Sequence, residues 1–154
     1  MSEGFRFETP KGDVAAAWHD GGKGASALVV AHGAGAGMDH PFMKGFCEEL
    51  AAAGVSALRF NFPYLEAGRK SPGSPKDATA AVVAAVDAAT TRTGGRPVFA
   101  GGKSYGGRMA SMAAADGMPA AGLVFLGYPL HAPGRSDQPR DEHLYGLKLS
   151  LIHI

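Results

Sequence analysis

Four short runs, Ala27-Leu28-Val29-Val30-Ala31, Ala57-Leu58-Arg59-Phe60, Val98-Phe99-Ala100 and Leu123-Val124-Phe125-Leu126, are apolar at almost every position. A strand with one wet face alternates in polarity, so a run that is apolar at both parities needs cover on both sides. Helical spacing fills the intervals. Pro41 opens a segment in which Phe42, Phe46 and Leu50 recur every fourth residue before Gly54. Ser74, Pro75 and Asp77 form a helix-start signature ahead of Val82, Val86 and Ala89, with Gly94-Gly95 as the stop. A third helix is expected from Tyr105 to Ala115, closed by Gly117. Strand and helix in alternation predict a mostly parallel sheet with right-handed crossovers and helices on both faces. Phe5 and Phe7, then Val14, Ala16 and Trp18, flank Pro10-Lys11-Gly12-Asp13 and predict an antiparallel hairpin in front of it. Asn61 to Pro75, rich in Gly, Pro and Ser, reads as a surface loop.

A chain of 154 residues holds one domain with one core. Fifteen Lys and Arg offset fourteen Asp and Glu with no basic stripe, which argues against nucleic acid as a partner. No apolar run approaches the roughly 20 residues that span a bilayer, and no secretory signal opens the chain, so no membrane partner and a cytoplasmic location are expected. Cys47, the single cysteine, falls on the inward stripe of the first helix beside Met43 and Leu50 and reads as a core residue.

Gly102-Lys103-Ser104-Tyr105-Gly106 fits G-x-S-x-G between a predicted strand and a predicted helix. There the pattern has a mechanical meaning: the serine occupies a strained turn with its hydroxyl above the sheet, and small residues at Gly102 and Gly106 let strand and helix approach. Ser104 is the candidate nucleophile. His32-Gly33-Ala34-Gly35-Ala36-Gly37 follows an earlier buried strand, where this architecture places one oxyanion-hole donor. Ala34 is the expected donor, Tyr105 N–H the second, and His32 with Gly33 braces the loop. His32 precedes the nucleophile, whereas the chain order of such triads is Ser, acid, His, so it is not assigned as base.

Other chemistries fail on spacing. A phosphate-binding P-loop ending in Gly102-Lys103-Ser104 would need glycine at Pro97, and a dinucleotide fingerprint in the glycine loop would need it at Met38 or His40. The six histidines make no metal-ligand spacing, and the Asp141-Glu142-His143 triplet reads as solvated loop. No metal and no organic cofactor is expected.

The run Gly101-Gly102-Lys103-Ser104-Tyr105-Gly106-Gly107-Arg108-Met109 resembles the elbow of small α/β-hydrolases of the dienelactone-hydrolase-like group. Ala31 to Met38, Arg59-Phe60-Asn61-Phe62-Pro63-Tyr64 and Gly127-Tyr128-Pro129-Leu130-His131 resemble that group's segments in the same order, over roughly residues 5–145. The resemblance implies an α/β-hydrolase fold without a large lid, acting on ester-like bonds of small molecules. Some relatives are scaffold subunits without established catalysis. Dienelactone hydrolases proper carry cysteine at the elbow, where this chain has Ser104, so that substrate is not implied.

Relatives continue past a segment like Arg140-Asp141-Glu142-His143-Leu144 into two further strands that carry the acid and the histidine. Leu149-Ser150-Leu151-Ile152-His153-Ile154 instead reads as the in-frame translation of a transposase adapter. The expectation is therefore a partial α/β-hydrolase domain over residues 1–148, its last strands missing, with a non-native tail at 149–154 in which His153 is no triad member. Leu123 to Leu126 would then be an exposed sheet edge. Asp137, Asp141 and His143 stand in a Pro- and Gly-containing loop and are not read as acid and base. The expected function is ester or thioester hydrolysis through an acyl-enzyme at Ser104, this fragment being inactive, with a non-catalytic interaction module as the alternative. Oligomeric state is left open.

Overall fold

The computed structural model describes residues 2–154. Strands β1 (Ser2–Thr9) and β2 (Gly12–His19) form the predicted hairpin, followed by β3 (Ala27–Ala31), β4 (Ser56–Phe60), β5 (Val98–Lys103), β6 (Gly122–Leu126) and β7 (Ser150–His153). The helices are α1 (Pro41–Ala52), α2 (Pro63–Glu66), α3 (Pro75–Thr93) and α4 (Tyr105–Ala115), and Glu142–Gly146 makes a 3-10 turn. The strands lie in one sheet in the order β1-β2-β4-β3-β5-β6-β7. β2 is antiparallel to β1 and to β4, and every later pairing is parallel.

Parity along β3 explains why its sequence does not alternate. Ala27, Val29 and Ala31 enter the larger core under α3 and α4, with Leu58, Phe60, Val82, Val86 and Met109. Leu28 and Val30 enter a smaller core under α1, with Ala57, Met43 and Cys47. Both faces are dry, and the sheet is held between helices as expected.

Local signals account for the helix ends. Ser74 Oγ accepts from Lys76 N at 3.3 Å with Pro75 in the first turn, and Gly94 takes a left-handed cap at φ 63°. In α1 the expected stripe is rotated: Met43 and Cys47 are buried, Phe46 and Leu50 flank them, and Phe42 is 41% exposed. Phe42 instead stacks on Phe46 at 6.0 Å, with Lys103 Nζ 4.8 Å from its ring centre. The surface loop expected at 61–75 is also different. Its first residues form α2, and Phe62 and Tyr64 are core residues, because both rings pack beside His32.

The edge expected at β6 does not exist in that form. Ser150–His153 adds β7 in parallel register, Leu123 opposite Leu151 and Phe125 opposite His153, so the backbone of β6 is paired on both sides. β7 is exposed at all four positions. The Glu142–His143 segment is not a solvated loop either: Ser111 Oγ, whose proton goes to the Arg108 carbonyl at 2.7 Å, accepts from His143 Nε2 at 2.7 Å. Ser111 is fully buried, so this contact ties the 3-10 turn to α4.

Candidate active site

β5 lies between β3 and β6, with Ala31 opposite Gly102 on one side and Leu126 opposite Lys103 on the other. The chain must turn from β5 into α4 within one residue, and Ser104 makes that turn at φ 51°, ψ −114°. It is the only non-glycine residue with positive φ among the described residues. Such a conformation costs on the order of 1–3 kcal/mol and persists only where its surroundings impose it. Here Ser104 N–H donates to the Leu126 carbonyl at 3.1 Å, and Arg108 N–H donates to the Ser104 carbonyl at 3.1 Å. Two glycines are required by close approach: a Cβ on Gly102 or on Gly106 would collide with the Ala31 carbonyl, and one on Gly106 with that of His32 as well. α4 therefore starts directly against the end of β3.

That contact brings the glycine loop alongside the turn. Residues 34–36 of the loop are exposed, and the loop closes with Ala36 N–H donating to Gly33 O at 3.2 Å. His32 is fully buried beneath it. Phe62 N–H donates to His32 Nε2 at 3.1 Å, so Nε2 is unprotonated and Nδ1 carries the proton that reaches Gly33 O at 2.8 Å. Burial holds the His32 pKa below the ordinary histidine value, which keeps this tautomer neutral. Gly35 N–H donates to Tyr64 Oη at 3.3 Å and Met38 N–H to Asn61 Oδ1 at 2.9 Å. Tyr105 opens α4, its ring packs on Phe62 at 5.4 Å, and burial pushes its phenol up to about 12.

The predicted site residues Ser104, Tyr105, Gly102, Gly106, His32, Gly33 and Ala34 thus meet where β3 and β5 end. Arg59, Asn61 and Tyr64 also hold the loop, and sequence reasoning missed them. The segment Arg59 to Tyr64 stood out only by resemblance, and its Pro63 and the following glycines read as an outward loop. Each of the six histidines is engaged elsewhere: His19 with Arg59, His32 with Gly33 and Phe62, His40 with Phe42 N, His131 with Ala132 O, His143 with Ser111, and His153 with Tyr128 N. Asp141 accepts from Tyr145 Oη at 2.9 Å. Ser104 makes no capping bond to its own helix. Among the described residues no group of three metal-ligating side chains is gathered, and no helix is long and apolar enough to cross a membrane.

Solved structures share this fold. A serine hydrolase without lid from Xanthomonas campestris matches with a TM-score of 0.73 at 18% identity, over 99% of this chain and 82% of that one. A putative α/β hydrolase from Agrobacterium tumefaciens matches at 0.70 and 16% identity, over 98% and 83%. An esterase from Pyrococcus furiosus matches at 0.70 and 17% identity, over 84% of this chain and 50% of its own, so this chain spans only half its length. At these identities the likeness is one of fold. A family profile described as an alpha/beta hydrolase domain matches residues 24–154. A parallel sheet entered through an antiparallel hairpin, a strained serine between β5 and α4, and that match over most of the length place this chain in the α/β-hydrolase family.

Proposed function

We propose that the protein is a serine hydrolase that cleaves ester or thioester bonds of small molecules through an acyl-enzyme at Ser104. The observation that carries this reading is the strained φ of Ser104 at a turn a relaxed residue would fill at lower cost. Ser104 Oγ attacks the carbonyl carbon, and the tetrahedral oxyanion is received by the N–H groups of Ala34 and Tyr105. Neither N–H is committed to another acceptor in the bonding described above, and Tyr105 N–H adds the positive end of α4. One such donor is typically worth about 2.7–4 kcal/mol of barrier. His32 and Gly33 hold the loop without touching the reacting atoms.

The general base and its acid come from outside residues 2–154 in this reading, because all six histidines are committed elsewhere. Without a base, the hydroxyl remains an ordinary alcohol, and the oxyanion hole with binding leaves on the order of 10³–10⁴-fold acceleration over water. This chain alone is then close to inactive. The same reading keeps residues 149–154 as a non-native tail, whose strand joins β6 by backbone pairing that any sequence can make. A non-catalytic interaction module is the competing reading, favoured because among the described residues no histidine is hydrogen-bonded to Ser104.

The test is to resequence the gene through and past the codons for Leu144 to Lys148 and treat the protein it encodes with a fluorophosphonate. Labelling at Ser104 that disappears in Ser104→Ala supports the hydrolase. A folded protein that stays unlabelled, or a confirmed stop after Ile154, supports the interaction module.

A further inference from the structure

We propose that Arg59 is a positioning residue that clamps the end of the glycine loop, with neutral His19 holding the clamp, so that Ala34 N–H stays aimed at the oxyanion. The proposal rests on the reading of Ala34 as an oxyanion donor.

β4 sends Leu58 and Phe60 into the larger core, so Arg59 lies on the opposite face, beneath α1 among Val30, Ala57 and Cys47. Arg59 is 4% exposed. A guanidinium in such a place is costly, and an apolar side chain of similar volume would serve stability as well or better. Its partners show what it does there. Nε donates to His19 Nε2 at 3.0 Å, and one terminal nitrogen donates to both the Met38 carbonyl and Asp39 Oδ1 at 2.8 Å. Asp39 is the only carboxylate among them. Its side chain is 71% exposed and shared with Lys44 Nζ at 3.8 Å, so the ion pair is largely screened. The dry, fixed bonds are those to Met38 O and His19. Met38 N–H is held in turn by Asn61 Oδ1. Both polar groups of the residue that follows the loop are therefore fixed from β4 and the residue directly after it.

His19 is the second half of the clamp. It is 1% exposed, and since arginine can only donate, Nε2 accepts and the proton sits on Nδ1, which has no partner. Protonating Nε2 would remove the acceptor and set a second cation against Arg59. The charged side chains that face His19 are Arg59 from β4 and Glu48 from α1; burial first, then Arg59, hold its pKa down. His19 stays neutral, and Arg59 keeps its aim.

The test is amide hydrogen exchange on the folded chain, read separately for residues 34–38 and for β5. Arg59→Met is expected to accelerate exchange in the loop by roughly tenfold or more while β5 is unchanged, and Arg59→Lys, which can still reach the Met38 carbonyl, is expected to restore part of the protection. His19→Leu, which removes the acceptor and leaves the cation, is expected to loosen the same five residues. Acceleration of loop and β5 together, or no change in either, overturns the proposal. In a form of the protein that labels at Ser104, Arg59→Met is further expected to lower the labelling rate roughly 100-fold at unchanged probe affinity. If wild type never labels, the hydrolase reading fails while the exchange measurement still judges the clamp.

Discussion

Replacing His32 with leucine removes the support of the glycine loop at nearly constant volume, and the structure sets the cost. Phe62 N–H and Gly33 O each lose their imidazole partner, at 3.1 and 2.8 Å. His32 and Phe62 are both fully buried, so water does not replace it. Gly33 O keeps the Ala36 N–H at 3.2 Å, but Phe62 N–H is left unsatisfied, and an unsatisfied buried backbone group costs about 1–3 kcal/mol, less what the apolar leucine regains in its dry surroundings. At this chain length each kcal/mol moves Tm by about 2–4 °C. The pH dependence provides a second check. Burial holds the native His32 pKa below its ordinary value, so above about pH 6.5 both folded and unfolded chains carry it neutral. As the pH falls further, the unfolded chain takes up a proton that the native site refuses, and wild type loses up to about 1.4 kcal/mol per pH unit from this residue. His32→Leu has no such loss, so its deficit shrinks in acid. Urea denaturation of both proteins at about pH 7.5 and about pH 5.5, followed by the fluorescence of the single tryptophan Trp18, measures both quantities. A deficit under about 0.5 kcal/mol near pH 7.5, or one that grows in acid, would refute the assignment of His32 as a neutral two-sided brace.

Substitutions at two further positions separate backbone strain from packing at the elbow. Ser104→Gly is expected to raise stability by about 1 kcal/mol because glycine adopts the φ 51° turn without strain, while Ser104→Ala leaves stability unchanged; thermal melts of the pair decide it, and equal Tm values would remove the strain argument. Gly106→Ala is expected to lose at least about 2 kcal/mol, since its Cβ meets the carbonyls of Ala31 and His32 and both belong to backbone that cannot move aside; a melt within 2 °C of wild type, roughly one kcal/mol, contradicts the close approach.

The fold was legible because its strongest signals are local. Runs apolar at both parities can be satisfied only between two helical layers, and Ser74-Pro75 or Gly94 cap a helix whatever lies beyond it. What stayed hidden depends on partners distant in sequence. Phe42 has helical spacing that suits the inward stripe, yet Met43 and Cys47 fill the narrow space over Leu28 and Val30, and Phe42 is left to stack on Phe46. Phe62 and Tyr64 follow a strand and flank a proline, which locally reads as an exit to solvent, but His32 offers each an aromatic contact and its Nε2 accepts the Phe62 backbone N–H. His143 lies in a polar stretch, and nothing near it in sequence announces the buried Ser111 that it meets.

The same distinction explains why the elbow could be read and its supports could not. Ser104 lies in a five-residue motif whose glycines are dictated by the next strand, and any chain that brings strand and helix so close needs them at those places. The loop that faces it has no such signature for what holds it still. Its four anchors, His32, Arg59, Asn61 and Tyr64, come from the end of β3, from β4, from the residue after β4 and from α2, and each acts through a hydrogen bond to backbone rather than through a side-chain pattern. Backbone groups carry no sequence identity, so a residue that binds them leaves no trace at the position it supports. Arg59 is the sharpest case: on the page it is one polar letter inside an apolar strand, and only its depth beneath α1 and its bond to the Met38 carbonyl distinguish a clamp from a charge that reaches solvent.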